Sequence, residues 1–304
     1  MDTIYVVGHK NPDTDSICSA IAYAGLKEKI GISAKAASSG EINDETRFVL
    51  GRFGFAPPDR IGDASGKKLV LVDHNEAQQS PDNADKAQII EVIDHHKIDF
   101  KCSVPVYFRN EPVGCTATII ADMYEDAGVK ITGGIAGLLL SAILSDTVVF
   151  KSQTTTEKDR AASKRLAKIA GIKNTEEFGI EVKTAKASLA GKSAEALIFM
   201  DYKDFTFNGK KVGIGQIEVV GMEEVNSRKA ELIAGIASVM KKNGNDAVLL
   251  MATDIIAEGT DLLATGNIKP LEKAFGKKIS NDSVYLPKVM SRKKDVVPLL
   301  EKAF

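Results

Sequence analysis

The first half of the chain alternates short aliphatic runs with longer stretches in which apolar residues recur every three or four positions. The aliphatic runs Ile4–Val7, Leu69–Val72 and Ile89–Ile93 are each followed at once by polar residues. This alternation is typical of a parallel sheet whose strands are joined by helices. Helical spacing predicts helices at Ser16–Glu28, capped by Asp15 or Ser16, and at Asn43–Phe53, Thr116–Asp126, Ile135–Leu144 and Thr156–Ala170.

The second half opens with a change of pattern between Lys183 and Ser193, where lysine, alanine, serine and glycine replace the apolar periodicity. We predict an exposed connection between two domains there. Beyond it, Asn208-Gly209 stands between two β-rich runs, which indicates a hairpin. The pattern then predicts an amphipathic helix, two strands and an apolar terminal helix, at Glu223–Lys242, Ala247–Met251, Thr260–Ala264 and Val296–Leu300.

These elements predict an α/β protein with two domains. The first is an N-terminal doubly wound, mainly parallel sheet domain over residues 1–187, and the second is a smaller mixed α+β C-terminal domain over residues 194–304. A chain of 304 residues exceeds the usual size of one domain, which favours this division.

Composition and charge exclude several classes of function. With 40 basic and 41 acidic residues the net charge is -1, which gives no overall field to hold nucleic acid or an anionic membrane. The longest apolar stretch, Ile135–Leu144, is about half the length that a bilayer crossing needs, and the N-terminal residues show no secretory signal. Three cysteines without C-x-x-C spacing argue against a disulfide framework or a zinc ribbon. We therefore expect a soluble cytoplasmic protein.

The four histidines are the most informative residues. They are His9, His74, His95 and His96, and each comes just after a predicted strand and close to an aspartate. Because the carboxyl ends of parallel strands open on one edge of a sheet, we expect these clusters to converge. Aspartate alone is common in turns, but turn chemistry does not require imidazole, whereas metal ligation uses both. Mixed imidazole and carboxylate ligands favour manganese, cobalt, iron or zinc over calcium.

At these motifs the chain resembles a known family. The segments G-H-x-N-P-D-T-D-S from Gly8, D-H-N-E from Asp73, D-H-H from Asp94 and S-R-K-K from Ser291 together resemble the family II inorganic pyrophosphatases of the Asp-His-His phosphoesterase superfamily. The resemblance covers essentially the whole chain. It implies hydrolysis of pyrophosphate to two phosphates by a bridging hydroxide on a two-metal centre.

The resemblance implies a role for each motif residue. The implied metal ligands are His9 and Asp13 for one ion, Asp15, His95 and Asp146 for the other, and Asp73 as a bridge between them. The implied catalytic and substrate-binding residues are His96, Lys203, Arg292 and Lys293. His74 has no ligand role by this resemblance and is expected to orient its neighbours.

The resemblance also implies cofactors and partners. Two Mn²⁺ or Co²⁺ ions per subunit are expected, with additional Mg²⁺ or Mn²⁺ arriving with pyrophosphate, and a homodimer through the N-terminal domain. The substrate site is expected at the cleft between the two domains, which would close over it. In the family's Gly-Ser-Thr-Ala-Thr segment, Cys115 replaces the usual serine, which leaves the hydrogen bond of that hydroxyl in doubt. No nucleotide-sensing insertion fits between the domains.

Two other functions stay open. A different member of the superfamily would act on nucleotide phosphodiesters, single-stranded nucleic acid or polyphosphate, but this chain has no histidine after His96 for a nucleic-acid motif. A short-chain polyphosphatase is harder to separate, because it needs the same metals and similar cations. A non-catalytic metal- or phosphate-binding protein on the same fold is the second alternative.

Overall fold

The computed structural model describes residues 3–187 and 189–304, without the side chain of Lys186. The chain forms two compact units, Met1–Lys186 and Ala187–Phe304, here called unit 1 and unit 2. Each unit has its own sheet and its own buried core.

Unit 1 is built on a sheet of five parallel strands. These are β1 (Ile4–Val7), β2 (Ala34–Ala37), β3 (Lys68–Val72), β4 (Gln88–Asp94) and β5 (Tyr107–Asn110). Their order across the sheet is β2-β1-β3-β4-β5, and every neighbouring pair is parallel. The order changes direction between β1 and β3. Ligands of open parallel sheets bind at such a point, outside the carboxyl ends of the strands.

The helices of unit 1 are α1 (Thr14–Lys29), α2 (Asp44–Phe53), α3 (Thr116–Asp126), α4 (Gly133–Asp146), α5 (Glu157–Ala170) and α6 (Thr175–Ala187). The apolar helix α4 lies at the centre of this group and contacts α1, α2, α3 and α5. Strand residues such as Val7, Leu69 and Val92 form another cluster with Ile61 and Ala84, which lie in the segments between strands. The sheet is therefore covered by packed side chains.

The structure confirms the parallel sheet and the helices predicted in the first half, with two differences. The prediction that Asp15 or Ser16 caps α1 is wrong, because Asp13 is the N-cap and accepts a hydrogen bond from the amide of Ser16. The prediction of an exposed connection from Lys183 is also wrong at its start, because Lys183 is buried in α6. A lysine is expected at the surface unless a buried partner compensates its charge, and composition does not reveal that partner.

Unit 2 contains a mixed five-stranded sheet. Its strands are β6 (Tyr202–Phe207), β7 (Lys210–Val219), β8 (Ala247–Asp254), β9 (Gly259–Gly266) and β10 (Ser283–Pro287), in the order β10-β9-β8-β7-β6. Only the pair β7 and β8 is parallel among these neighbours. The predicted hairpin is confirmed, since Asn208 and Gly209 alone join β6 to β7 and both have positive φ.

The helices of unit 2 are α7 (Ala194–Phe199), α8 (Glu223–Ser227), α9 (Lys229–Asn243), α10 (Lys269–Phe275) and α11 (Val297–Ala303), and a π-helical turn at Arg292–Val296 precedes the last. The sequence predicted one continuous helix from Glu223, but the chain interrupts it at Arg228. The Arg228 side chain instead donates hydrogen bonds to the carbonyls of Leu189 and Lys192. Within the described part of the chain, no helix is long and apolar enough to cross a membrane.

Candidate metal centre

Three neighbouring strands of unit 1 end in the predicted ligand residues. His9 comes two residues after β1, Asp73 directly follows β3, and His95 directly follows β4. Because β3 lies between β1 and β4, these three side chains meet at the carboxyl edge of the sheet. The strand order therefore positions Asp73 between the two imidazoles.

Asp73 faces both histidines through different oxygens. Its Oδ2 lies 3.4 Å from Nε2 of His9, and its Oδ1 lies 3.4 Å from Nε2 of His95. The residue is buried and its φ of 62° is left-handed, a conformation that aspartate tolerates better than most side chains. The amide of Asp73 donates to the carbonyl of Ile93, and the hydroxyl of Thr116 donates to its Oδ1. These bonds fix the direction of the carboxylate.

The six predicted metal ligands lie together in two groups that share Asp73. One group contains His9, Asp13 and Asp73, and the other contains Asp15, Asp73, His95 and Asp146. In each group the ligand atoms all lie within 4.8 Å of one another. A third, overlapping group joins His96 to Asp73 and His95. The structure thus brings together side chains from six separate motif positions.

The start of α3 and the loop before it orient ligands of the second group. The amides of Thr116 and Ala117 donate to the two oxygens of Asp15, at 2.7 Å and 3.1 Å. The carbonyl of Val113 accepts a bond of 2.9 Å from Nδ1 of His95. A carbonyl can only accept, so Nδ1 carries a proton, and Nε2, which faces Asp73, is the nitrogen that could bind a metal once it loses its own proton.

Asp159 anchors this loop and was not identified from the sequence. It is fully buried at the start of α5, where it takes part in a capping box with Thr156. Its carboxylate also accepts from the amide of Gly114 and the hydroxyl of Thr118. An aspartate three residues after a threonine is the available signal in the sequence, but that signal indicates a helix start and not a contact across the domain.

The charges of the site shift several pKa values. Burial and the charge of Asp73 raise the pKa of Asp15 to about 7, and burial with the charge of Asp15 raises that of Asp146 well above its usual range. Burial opposes the protonation of His9, but bonds and charges from Asp13 and Asp73 outweigh it and raise its pKa to about 10. Buried carboxylates this close repel one another unless protons or cations separate their charges.

The pKa values of His95 and Asp73 shift in opposite directions. Burial disfavours the charged form of His95, but Asp73 and Asp15 outweigh it and raise the pKa of His95 to about 9. Burial similarly opposes the ionisation of Asp73, yet its bonds to His9 and His95 hold its pKa below the ordinary range. Without metal, protonated imidazoles therefore supply positive charge on two sides of Asp73.

His96 differs from its neighbour in exposure and in partner. Its side chain is 47% exposed, and its Nδ1 donates to Oδ1 of Asp94 at 2.9 Å. This bond raises the pKa of His96. Asp94 is buried and also accepts from Asn75, and neither residue was assigned a role from the sequence. Asp94 thus orients the ring of His96 and stabilises its protonated form.

His74 belongs to none of the three ligand groups found among the described residues. It is buried, its Nδ1 donates to the carbonyl of Val72, and its Nε2 lies 3.2 Å from the hydroxyl of Ser80. The rings of His74 and His9 are perpendicular, with centroids 6.5 Å apart. His74 also lines a cavity of about 330 Å³, which every predicted ligand except Asp15 lines as well.

The chain turns sharply after Asp146. Val148, Val149 and Phe150 have φ values of 49°, 52° and 65°, which form a left-handed turn without glycine. The amides of Val148 and Val149 donate to carbonyls of the last turn of α4. Left-handed backbone costs about 1–2 kcal/mol per residue for side chains with a β-carbon. This strained turn follows the predicted ligand Asp146, and backbone strain of this kind is concentrated at functional sites.

The predicted phosphate-binding residues lie in unit 2. Lys203 in β6 and Lys293 in the π-helical turn are exposed, whereas Arg292 is buried. The Arg292 guanidinium donates to the carbonyls of Asp201 and Ile214 and to Oδ1 of Asp201, which lies 2.6 Å away. The arginine therefore also ties the end of the chain to β6 and β7.

The donor set fits divalent manganese. Two imidazoles and four carboxylates are the ligand types that suit this ion, and His95 presents Nε2 with its proton fixed on Nδ1. The raised pKa values of Asp15 and Asp146 show that negative charge at the site lacks compensation. A bound cation would supply that compensation.

Family profiles match both parts of the chain. The profile of the DHH family, N-terminal domain, matches residues 3–143, and the profile of the DHHA2 domain matches residues 180–303. The fold and the polar strand ends of unit 1 thus define a two-domain protein of the DHH class. An exopolyphosphatase-related protein from Bacteroides fragilis shares this fold at 13% identity and a TM-score of 0.54.

Similarity to individual proteins identifies the family within the DHH class. The chain is 49% identical to a manganese-dependent inorganic pyrophosphatase of Methanothrix thermoacetophila, over 100% of this chain and 99% of that protein. A Bacillus subtilis protein of the same name is 47% identical over 100% and 99% of the two chains. A crystal structure from Methanococcus jannaschii, described as a family II inorganic pyrophosphatase, matches with a TM-score of 0.64 and 47% identity over 99% of each chain. The chain belongs to the family II, manganese-dependent inorganic pyrophosphatases.

Proposed function

We propose that this chain hydrolyses inorganic pyrophosphate to two phosphates with two manganese ions held by unit 1. The observation that carries the proposal is the placement of Asp73, which turns one oxygen toward His9 and the other toward His95. The names of the relatives from Methanothrix thermoacetophila and Bacillus subtilis support pyrophosphate as substrate and manganese as metal.

The proposed ligand sets follow the two groups in the site. One ion would be held by His9 and Asp13. The other ion would be held by Asp15, His95 and Asp146, and Asp73 would bind both ions. When bound, the ions would act as Lewis acids and lower the pKa of a water toward neutrality. Cobalt in place of manganese, and additional Mg²⁺ or Mn²⁺ arriving with pyrophosphate, are part of this proposal.

His96 is the proposed acid. Its Nδ1 is engaged by Asp94, which leaves Nε2 available, and the same bond favours the protonated ring. Its side chain is exposed enough to meet a small anion. We therefore assign it the transfer of a proton, or a strong hydrogen bond, to the phosphate oxygen that is expelled.

Basic side chains of unit 2 are the proposed phosphate contacts. Lys203 and Lys293 are exposed and offer compact charges, while the buried Arg292 would have to share its planar fork between phosphate and its bonds to Asp201 and Ile214. Pyrophosphate is a polyanion, so catalysis depends mainly on positioning and on stabilising the charge of the transferring group. These contacts distinguish the pyrophosphatase proposal from simple metal binding.

The proposal is tested by measuring phosphate release in parallel assays that all contain Mn²⁺. The substrates are pyrophosphate, tripolyphosphate and a nucleotide diester. We expect pyrophosphate to be hydrolysed with the highest kcat/KM. Faster hydrolysis of tripolyphosphate would identify a short-chain polyphosphatase, and metal binding without hydrolysis of any of the three would identify a binding protein.

The shared role of Asp73 has a separate test. Asp73→Ala should remove most bound Mn²⁺ and most activity together, because both proposed ligand sets lose a member. Metal content measured by atomic emission, with the rate on the same sample, checks this. Full metal content with a near-normal rate would contradict the shared role.

A homodimer through the N-terminal domain and a cytoplasmic location remain parts of the proposal that need their own measurements. Sedimentation velocity of the full chain would give the oligomeric state. The three cysteines are free thiols in the structure, a state that fits the proposed reducing compartment.

A further inference from the structure

A buried carboxylate outside the ligand groups lies beside two of the helix ends that carry ligands. Glu45, the second residue of α2, is 1% exposed. Its Oε1 accepts a hydrogen bond of 2.6 Å from the hydroxyl of Thr14 and one of 2.5 Å from the hydroxyl of Ser145. One oxygen atom therefore connects the first residue of α1 to the end of α4.

The two hydroxyl donors are direct neighbours of proposed metal ligands. Thr14 stands between Asp13 and Asp15, which belong to different ligand groups. Ser145 directly precedes Asp146. Moving either donor would move the backbone that carries these carboxylates. Glu45 thus acts on three of the six proposed ligands through their immediate neighbours.

Lys183 compensates the charge of Glu45. Its Nζ lies 3.2 Å from Oε2 of Glu45, and both side chains are buried. The same ammonium lies 3.5 Å from the carbonyl of Ser145 and 3.4 Å from its hydroxyl oxygen. A buried carboxylate needs such a partner to stay ionised, and an ionised carboxylate is the stronger acceptor. Lys183 lies in α6, the last helix of unit 1.

We propose that Glu45, whose charge Lys183 compensates, is a positioning residue that holds Asp13, Asp15 and Asp146 in the geometry required by two metal ions. This inference rests on the proposed function. Partners of metal ligands set the direction of those ligands, and their loss typically lowers metal affinity about 10–100-fold. The ligand groups bring four carboxylates together, so without such partners their mutual repulsion would push them apart.

Unit 1 contains a matched pair that serves as control. Lys27 and the partly buried Glu91 form an ion pair with 2.5 Å between Nζ and Oε1, and the hydroxyl of Tyr23 donates to the other oxygen of Glu91. This pair resembles Glu45 and Lys183, because in both cases a carboxylate pairs with a lysine and accepts a hydrogen bond from a hydroxyl. Neither Tyr23 nor Lys27 is next to a proposed ligand, so this pair stabilises the fold without orienting the site.

The experiment measures Mn²⁺ affinity by isothermal titration calorimetry and the visible spectrum of bound Co²⁺ on the full chain. Glu45→Ala should weaken Mn²⁺ binding about 10–100-fold and shift the Co²⁺ bands, which report ligand geometry. Thr14→Val with Ser145→Ala removes the hydroxyl donors but keeps the ion pair, and should weaken binding in the same direction.

Three further variants test rescue of the affinity and serve as controls. Glu45→Gln with Lys183→Met keeps an amide oxygen for Thr14 and Ser145 without a buried charge, and should recover most of the affinity lost in Glu45→Ala. Glu91→Ala and Tyr23→Phe should lower the melting temperature while leaving Mn²⁺ affinity and the Co²⁺ spectrum unchanged.

The results separate this inference from the function on which it rests. Wild-type Mn²⁺ affinity and an unshifted Co²⁺ spectrum in Thr14→Val with Ser145→Ala would overturn the positioning role, even if Glu45→Ala failed to fold. A wild-type chain that binds no Mn²⁺ or does not hydrolyse pyrophosphate would instead overturn the proposed function.

Discussion

At the scale of single residues, two adjacent histidines have different surroundings. His95 has its Nδ1 proton on the carbonyl of Val113 and its Nε2 toward Asp73, whereas His96 has its Nδ1 proton on Asp94. The first arrangement suits a metal ligand, and the second suits a proton donor. Two observations therefore support the division of roles. The Nδ1 protons go to different acceptors, and the Nε2 of His95 faces the proposed bridging ligand Asp73.

We predict that His95→Gln weakens Mn²⁺ binding, because the amide removes the Nε2 ligand. His96→Gln should keep nearly full metal content and lower kcat by about 10²–10⁴-fold, the contribution of a positioned acid. Calorimetric Mn²⁺ titration and steady-state kinetics on both variants check this. Equal loss of metal in both variants would show that the two side chains share one role.

Protons should leave the site when metal binds. The pKa values of His9 and His95, about 10 and about 9, lie above neutral pH, so both imidazoles are protonated in the metal-free site. A ligand must be deprotonated to bind, so Mn²⁺ displaces these protons. Because raising the pH makes this displacement easier, apparent affinity should rise with pH between 6 and 8, by about tenfold per pH unit for each proton released.

Titration calorimetry in buffers of different ionisation enthalpy counts the protons. We expect a net release of at least one proton per Mn²⁺ bound at pH 7. An affinity that does not change with pH, together with no buffer dependence of the heat, would contradict the raised pKa values.

At the scale of helices and strands, the sequence predicted those elements whose pattern is local. Strands β1, β3 and β4 and helix α3 follow from runs of apolar residues, and the hairpin follows from Asn208-Gly209. Strand β2, with the sequence Ala-Lys-Ala-Ala, has little β-propensity and forms because β1 pairs with it. Tertiary pairing of this kind cannot be seen in a local pattern.

The candidate site likewise contains residues that a local pattern predicts and residues that it does not. The ligand residues were predicted because they lie in short motifs at strand ends, and the family resemblance assigned their roles. Asp159 and Glu45 were missed, because each acts on a segment far away in sequence, at Gly114 and Ser145 respectively. Their importance depends on burial and on partners that only the folded chain brings near.

The same substitution should have opposite effects at two glycines. Gly209 has a φ of 78° in the hairpin turn, so Gly209→Ala should destabilise unit 2 by about 1–2 kcal/mol. Gly51 lies inside α2, and a β-carbon there meets no described atom within 4 Å outside that helix's own backbone. Gly51→Ala should therefore stabilise unit 1 by about 0.5–1 kcal/mol. Differential scanning calorimetry of both variants checks the two signs, and a lower melting temperature for Gly51→Ala would contradict the second.

At the scale of the whole molecule, the two units carry different parts of the proposed chemistry. The proposed metal ligands all belong to unit 1, and the proposed phosphate-binding cations Lys203, Arg292 and Lys293 belong to unit 2. Arg292 has a second role there, because its guanidinium binds Asp201. Changes in unit 2 should therefore affect catalysis without emptying the metal site.

Arg292→Lys and Lys293→Ala test this separation. Loss of one charge-assisted contact in the reacting complex should cost about 1.5–3 kcal/mol, or roughly one to two decades in kcat/KM. Metal content should not fall. Because Arg292 also holds Asp201 and lysine cannot reproduce its planar fork, the melting temperature of Arg292→Lys should decrease as well. Steady-state kinetics, metal analysis and calorimetry on the same samples decide this. Unchanged kcat/KM in both variants would leave Lys293 as a solvated basic residue and Arg292 with a structural role alone.

The left-handed turn from Val148 to Phe150 places function and stability in conflict. At about 1–2 kcal/mol for each residue, the turn gives up roughly 3–6 kcal/mol, a large share of the 5–15 kcal/mol by which native proteins are stable. Selection for stability alone would favour glycine at Val148, because glycine adopts this backbone without strain, whereas Val149 is buried and Phe150 packs against Arg160. A lineage adapting to heat while keeping the turn must therefore gain its stability elsewhere in the chain. Variants recovered from a purely thermal screen should include Val148→Gly, which would hold Asp146 less rigidly.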